Sequence, residues 1–168
     1  MPSRSLATLV TLGIALLSAL RVALVWERLP ERMASHFGPS GRPDGFMPRD
    51  GFFIFYALVM GLVVVLFLTM PAVMKWIPRE LVNIPHREYW LTDERWPEAL
   101  ELLGRQMAWF AVAMALFGAA VLQLVLRSNL TQQPLDERAM WVLMGGLFAY
   151  LLFWLVWLYR SFRPPMVL

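Results

Sequence analysis

The sequence predicts an all-α membrane protein: four transmembrane helices, an ordered extracytoplasmic loop and a cytoplasmic amphipathic helix. Two observations carry this. The 168 residues are 59% hydrophobic and 16% charged, with a mean hydropathy of +0.56; a soluble domain would be roughly 45–50% apolar and about 25% charged. The excess also collects in four blocks, at 6–26, 52–76, 107–126 and 140–159, each near the ~20 residues an α-helix needs to cross a hydrocarbon core. No alternating barrel pattern is present, and a lipid-exposed segment must satisfy its own backbone hydrogen bonds, so the blocks read as helices.

The first block, Leu6–Trp26, is broken only by Arg21. It follows Arg4 as a signal peptide would, yet its apolar run is too long for a signal core. No small-x-small cleavage pattern follows it, so it reads as a retained helix. Arg21 lies near the block's end, where its stem can stay in lipid while the guanidinium reaches the headgroups.

Between the first two blocks lies LPERMASHFGPSGRPDGF, Leu29 to Phe46. Its Gly38–Gly45 run is turn chemistry: glycine supplies positive φ, proline fixes φ, and Asp-Gly favours tight turns. It contains neither a phosphate loop nor a dinucleotide fingerprint. The expected result is a compact, ordered loop capping the bundle, and binding residues are often carried on such loops.

The second block, Phe52–Trp76, contains Pro71, where a kink or an early helix end is expected because proline removes one donor. The loop after it holds Thr92-Asp93-Glu94, which suits a helix N-cap followed by acids. Trp96, Leu100, Leu103 and Met107 then recur at helical spacing, with Pro97 in the first turn. An amphipathic helix leading into the third span is expected here. Gly118 and its neighbouring alanines in the third block, and Gly145–Gly146 in the fourth, offer small surfaces for helix contact. Trp26, Trp76, Trp109, Trp141 and Tyr159 fall near block ends, as headgroup-level anchors do.

Residues 1–168 read as one polytopic domain without a linker. Lys and Arg number eight on the side of both termini and the second loop, against six in the first and third loops. That bias puts the termini in the cytoplasm and the 29–46 loop outside.

Composition and pattern also exclude. Without cysteine there are no disulfides, thiolate metal sites or cysteine nucleophiles. A net charge of +3 with interleaved acids reads as membrane flanks rather than a nucleic-acid surface. His36, with Glu31, Asp44 and Asp50 near it in sequence, could in principle bind a metal or serve acid–base catalysis. No metal-site spacing accompanies it, and His86 is expected on the opposite membrane face. No Ser/His/Asp triad assembles, no cofactor is implied, and the expected role is non-enzymatic. Gln123 is the one polar residue of the third block and the fourth block carries no charge, which counts against an ion or proton path.

The 29–46 stretch resembles the membrane domain family of unknown function DUF1648, whose motif after its first helix runs L-P-x-x-apolar-P-x-H-F/W-x-x-x-G-x-P/A-D/N-G/R-F/W. Matching positions are Leu29, Pro30, Met33, His36, Phe37, Gly41, Pro43, Asp44, Gly45 and Phe46. Ala34 departs from the family's usual proline, and Pro48-Arg49-Asp50 from a region where Lys often precedes the second helix. Asn83-Ile84-Pro85-His86-Arg87-Glu88-Tyr89-Trp90 is similar to an N-L/I-P-x-x-x-Y-W element of some members. The resemblance implies a bacterial inner-membrane protein; the domain also occurs in longer SdpI-type immunity and signalling proteins. It marks His36, Phe37, Gly41, Pro43, Asp44 and Gly45 as an organised binding element, with Asn83, Pro85, Tyr89 and Trp90 as a second motif.

The function expected from these readings is a membrane binding or sensing protein, related to toxin immunity or envelope signalling, with loop 29–46 as its recognition element. The alternative is an accessory subunit of a larger membrane complex or transporter. Expected partners are membrane lipid and either a peptide ligand or another membrane protein, with self-association compatible with so small a bundle.

Overall fold

A computed structural model of the chain describes residues 3–165. Its long helices are α1 (Arg4–Val25), α2 (Arg49–Met74), α4 (Trp96–Thr131) and α5 (Glu137–Ser161), with the one-turn helix α3 (Arg87–Trp90) before α4. All four long helices are long and apolar enough to cross a membrane, which makes this a multi-pass membrane protein.

The all-α expectation needs correction. The first loop folds as an antiparallel β-hairpin, β1 (Arg32–Phe37) with β2 (Pro43–Pro48). Its strands flank a turn at residues 38–42; Asp44 and Gly45, read from the sequence as turn chemistry, lie instead inside β2, which begins and ends in proline. Helix neighbours and the turn, rather than strand propensity, must hold it.

The bundle is organised around α4, the most buried helix, against which α1, α2 and α5 each pack. Its buried stripe, including Ala108, Ala111, Ala115, Gly118 and Leu122, is narrow enough for close approach. Gly118 sits beside Met60, whose sulfur lies 2.5 Å from where a Cβ would stand. Gly145 and Gly146 do not repeat this: nothing lies near them, and α5 faces outward along most of its length.

α4 also runs unbroken from Trp96, so the expected surface helix and the third span are one 36-residue helix. Pro97 falls in its first turn as expected. The Thr92–Glu94 cap does not form. Arg95 is the N-cap residue and makes no side-chain bond to the helix, while Asp93 instead pairs with Arg79 at 2.6 Å. α2 runs through Pro71, where an early end is one expectation, and continues to Met74. Close by, Arg4 Nη2 donates to the Leu68 carbonyl at 2.8 Å and so ties α1 to α2.

Two apolar clusters close the ends of the bundle. At the hairpin end, Val25, Leu29, Met33, Phe52, Leu122, Val125, Leu126 and Leu135 join both strand-flanking helices to α4 and to the α4–α5 loop. At the other end, Val82, Ile84, Trp90, Leu103 and Phe162 join the second loop to the start of α4 and the end of α5.

Candidate functional site

The hairpin is held from three sides, largely by residues outside its motif. Asn129, buried near the end of α4, accepts from Ala34 N–H through Oδ1 at 2.8 Å. Its Nδ2 donates to the Ala34 carbonyl at 3.1 Å and to Val125 O at 2.9 Å. The amide thus pairs with a strand residue as a neighbouring strand would. The departure from the family motif matters here, because proline at position 34 would have no N–H to give.

Arg49, the first residue of α2, forms the second support. Its Nη1 donates to the carbonyls of Trp26 and Leu29 at 3.0 and 3.3 Å. The guanidinium also lies 4.4 Å from the centre of the Trp26 ring, and Arg49 N–H donates to Glu31 O at 2.8 Å. The third support is backbone: Leu135 N–H donates to Gly41 O at 2.8 Å. Gly41 has φ +70°, and any Cβ there would strike the Leu135 carbonyl. Two observations therefore require glycine at this position.

With the backbone so fixed, irregularities on both sides of His36 pair it with Gly45 rather than in simple register. Such bulges re-aim side chains. His36 Cβ comes within 2.8 Å of a notional Cβ on Gly45, so only glycine leaves it room. The His36 Nδ1 and Asp44 Oδ1 atoms form a short contact, with the two side chains 75% and 55% exposed. Phe46 is exposed beside them, while Met33 and Ala34 face the core. Phe37 is half-buried and Pro43 exposed at the turn.

Glu31 and Asp50 do not join this pair: among the described residues no three His, Cys, Asp or Glu side chains converge. His86 lies at the other end of α4, about 40 Å away at 1.5 Å per residue, so the two histidines belong to separate surfaces.

The second motif is architecture. Trp90 is buried; its Nε1–H donates to the Phe162 carbonyl at 2.7 Å, and its ring meets Phe162 edge-on at 5.6 Å. Tyr89 packs edge-on against Trp90 and accepts from Arg95, whose guanidinium also lies over the Tyr89 ring. His86 adopts a left-handed conformation that turns the chain into α3. Asn83 is exposed and Pro85 partly so, with no side-chain role in this anchor.

Beneath the hairpin, a groove of about 720 Å³ opens between α1 and α2, with α4 as its floor. Ala15, Ala19 and Ala23 form one wall and Ala57 and Gly61 the other, with Ser18, Tyr56 and Glu27 the polar points. Its mouth at Trp26 and Phe53, rings 5.3 Å apart, lies next to Arg49.

Sequence reasoning found the exposed pair and the glycines that shape it. It missed Asn129 and gave Arg49 no supporting role. Asn129 bonds a backbone 95 residues away, and its only sequence signal is a polar side chain near the end of a long apolar run.

Residues 13–60 match the family model of a domain of unknown function, DUF1648. The match covers most of α1, the hairpin and the first part of α2, and so includes most of both groove walls. Asn129, Leu135 and the second motif lie beyond it. No curated protein and no solved structure matches the chain.

Proposed function

We propose that this protein, which carries a DUF1648 domain over residues 13–60, is a non-enzymatic bacterial inner-membrane binding or sensing protein. Its hairpin is the recognition element, placed on the outer face, and it captures an amphipathic peptide, as a toxin-immunity or envelope-signalling protein would. The observation that carries the reading is the division of labour in the hairpin. Helix residues immobilise its backbone, and the His36–Asp44 pair and Phe46 are left displayed to solvent.

A fixed backbone presenting polar and aromatic groups lowers the ordering cost of binding. The apolar groove below offers a place for the ligand's greasy side. Because α1 and α2 pack chiefly on α4 rather than on each other, filling that groove would shift α2 and with it the second loop, whose cytoplasmic face would carry the response.

Photo-crosslinking tests this. A benzophenone amino acid placed at Phe46 in cells should capture a discrete peptide, and His36→Ala or Asp44→Ala should abolish that product at unchanged protein level. Crosslinks confined to lipid would sink the recognition reading.

The second reading, an accessory subunit of a larger membrane complex, is supported by α5. It packs chiefly on α4 and leaves the surface at Gly145–Gly146 open. Stoichiometric co-purification of another membrane protein, lost in Gly145→Leu, would favour it.

A further inference from the structure

We propose that the seam between α1 and α4 at the hairpin end is a phosphate site that holds the headgroup of an anionic phospholipid. A cavity of about 440 Å³ there brings together Arg21, Arg28 and Arg127 with Gln123 and Thr131. It shares no lining residue with the α1–α2 groove.

The charges in this seam are unspent. Arg4, Arg49, Arg79, Arg87 and Arg95 are committed to protein groups; Arg32, Arg42, Arg105, Arg138, Arg160 and Arg163 are not, but it is Arg21, Arg28 and Arg127 that share one cavity. Among the described residues the ion pairs are His36–Asp44 and Arg79–Asp93. Arg21, Arg28 and Arg127 therefore line one cavity with no carboxylate to offset them. Three guanidiniums lining one cavity repel one another unless an anion sits between them, and guanidinium forks match phosphate oxygens bidentately.

One of the three is already held in place. Arg21 donates from Nε to Gln123 Oε1 at 3.3 Å, which leaves its two Nη groups for a ligand. The Thr131 hydroxyl donates to Arg127 O at 2.8 Å and can still accept from a lipid hydroxyl.

Depth distinguishes a lipid from free phosphate. Arg21 lies one turn before the end of α1 at Val25, about 6 Å further into the bundle, and Arg28 lies about 10 Å from it along the chain at helical rise. The cavity thus spans the thickness of a headgroup layer, and Leu124 and Leu130 in its wall can receive the first carbons of the acyl chains. The snorkelling expected of Arg21 becomes, in this setting, half of a binding site.

The test uses the full chain in detergent, with native mass spectrometry under titration by phosphatidylglycerol, phosphatidylcholine or inorganic phosphate. One phosphatidylglycerol per chain should be retained about tenfold more strongly than phosphatidylcholine, as expected for charge-assisted guanidinium–phosphate bonding without a compensating choline. The Arg28→Gln/Arg127→Gln pair should erase that preference, and Arg42→Gln/Arg138→Gln should leave it intact. If the first pair does not fold, Arg28→Lys/Arg127→Lys should still weaken retention through loss of the bidentate fork. Displacement by millimolar inorganic phosphate would keep the phosphate chemistry but overturn the lipid assignment. Equal retention of the two lipids, or an unaltered preference in the glutamine pair, would overturn the site.

Discussion

The two polar ends of this bundle are built in opposite ways. At the hairpin end the motif is divided: Leu29, Met33 and Gly41 are buried, while His36, Asp44 and Phe46 are left outside on a backbone held by Asn129 on α4, Arg49 on α2 and Leu135 in the α4–α5 loop. At the other end, the motif residues are themselves the supports. Trp90 is buried against Phe162, and Tyr89 is packed between Trp90 and Arg95. A motif that disappears into the core is accounted for by packing. Motif side chains turned outward from a rigidly held backbone are not, which is why the hairpin and not the second loop is the candidate recognition surface.

The contrast is sharpest in the expected stabilities. Trp90→Ala removes a buried indole, an edge-on ring contact and a hydrogen bond. A loss of about 3–5 kcal/mol is expected, read as a drop in the midpoint of thermal aggregation in detergent. Trp90→Phe should recover most of it. If alanine there were neutral, the second motif would have to be read as functional too.

Asn129→Ala comes next. It leaves the N–H and C=O of Ala34 buried without partners, and each unpaired group costs roughly 1–3 kcal/mol. The effect should be local, with faster amide hydrogen exchange at Ala34 and little change around Trp90. Ala34→Pro removes only the donor and should produce a smaller version of the same change. Uniform destabilisation would show that the two ends are one cooperative unit.

Gly41→Ala forces a side chain into a left-handed position facing the Leu135 carbonyl. About 1–3 kcal/mol is expected from strain of this kind, again with exchange rising first in the hairpin and in the 132–136 loop.

These differences also explain what could be read from sequence. The four spans were legible because length and hydropathy determine them directly. Of the glycines read as turn residues, Gly41 was legible because positive φ has few solutions and it has one; Gly45 instead lies in β2, where it leaves room for His36. The strands were not, since Arg32–Phe37 and Pro43–Pro48 owe their pairing to Asn129 and Arg49 more than to their own pattern. The misplaced cap at Thr92–Glu94 has a similar cause: Asp93 found a cation, Arg79, across the loop and left the helix N-terminus to Arg95. Local rules failed wherever a partner distant in sequence offered more.

The smallest expected effect on stability belongs to the pair that defines the site. His36 and Asp44 are 75% and 55% exposed, and exposed ion pairs contribute about 0–1 kcal/mol after screening and side-chain entropy. His36→Ala and Asp44→Asn should therefore melt within a degree or two of the parent, while the crosslink from position 46 disappears. The two readouts pull apart only if the pair recognises something. A fall in stability as large as that of Asn129→Ala would place His36 and Asp44 among the supports. The hairpin would then be a lid over the bundle, built on the same logic as the Trp90 end.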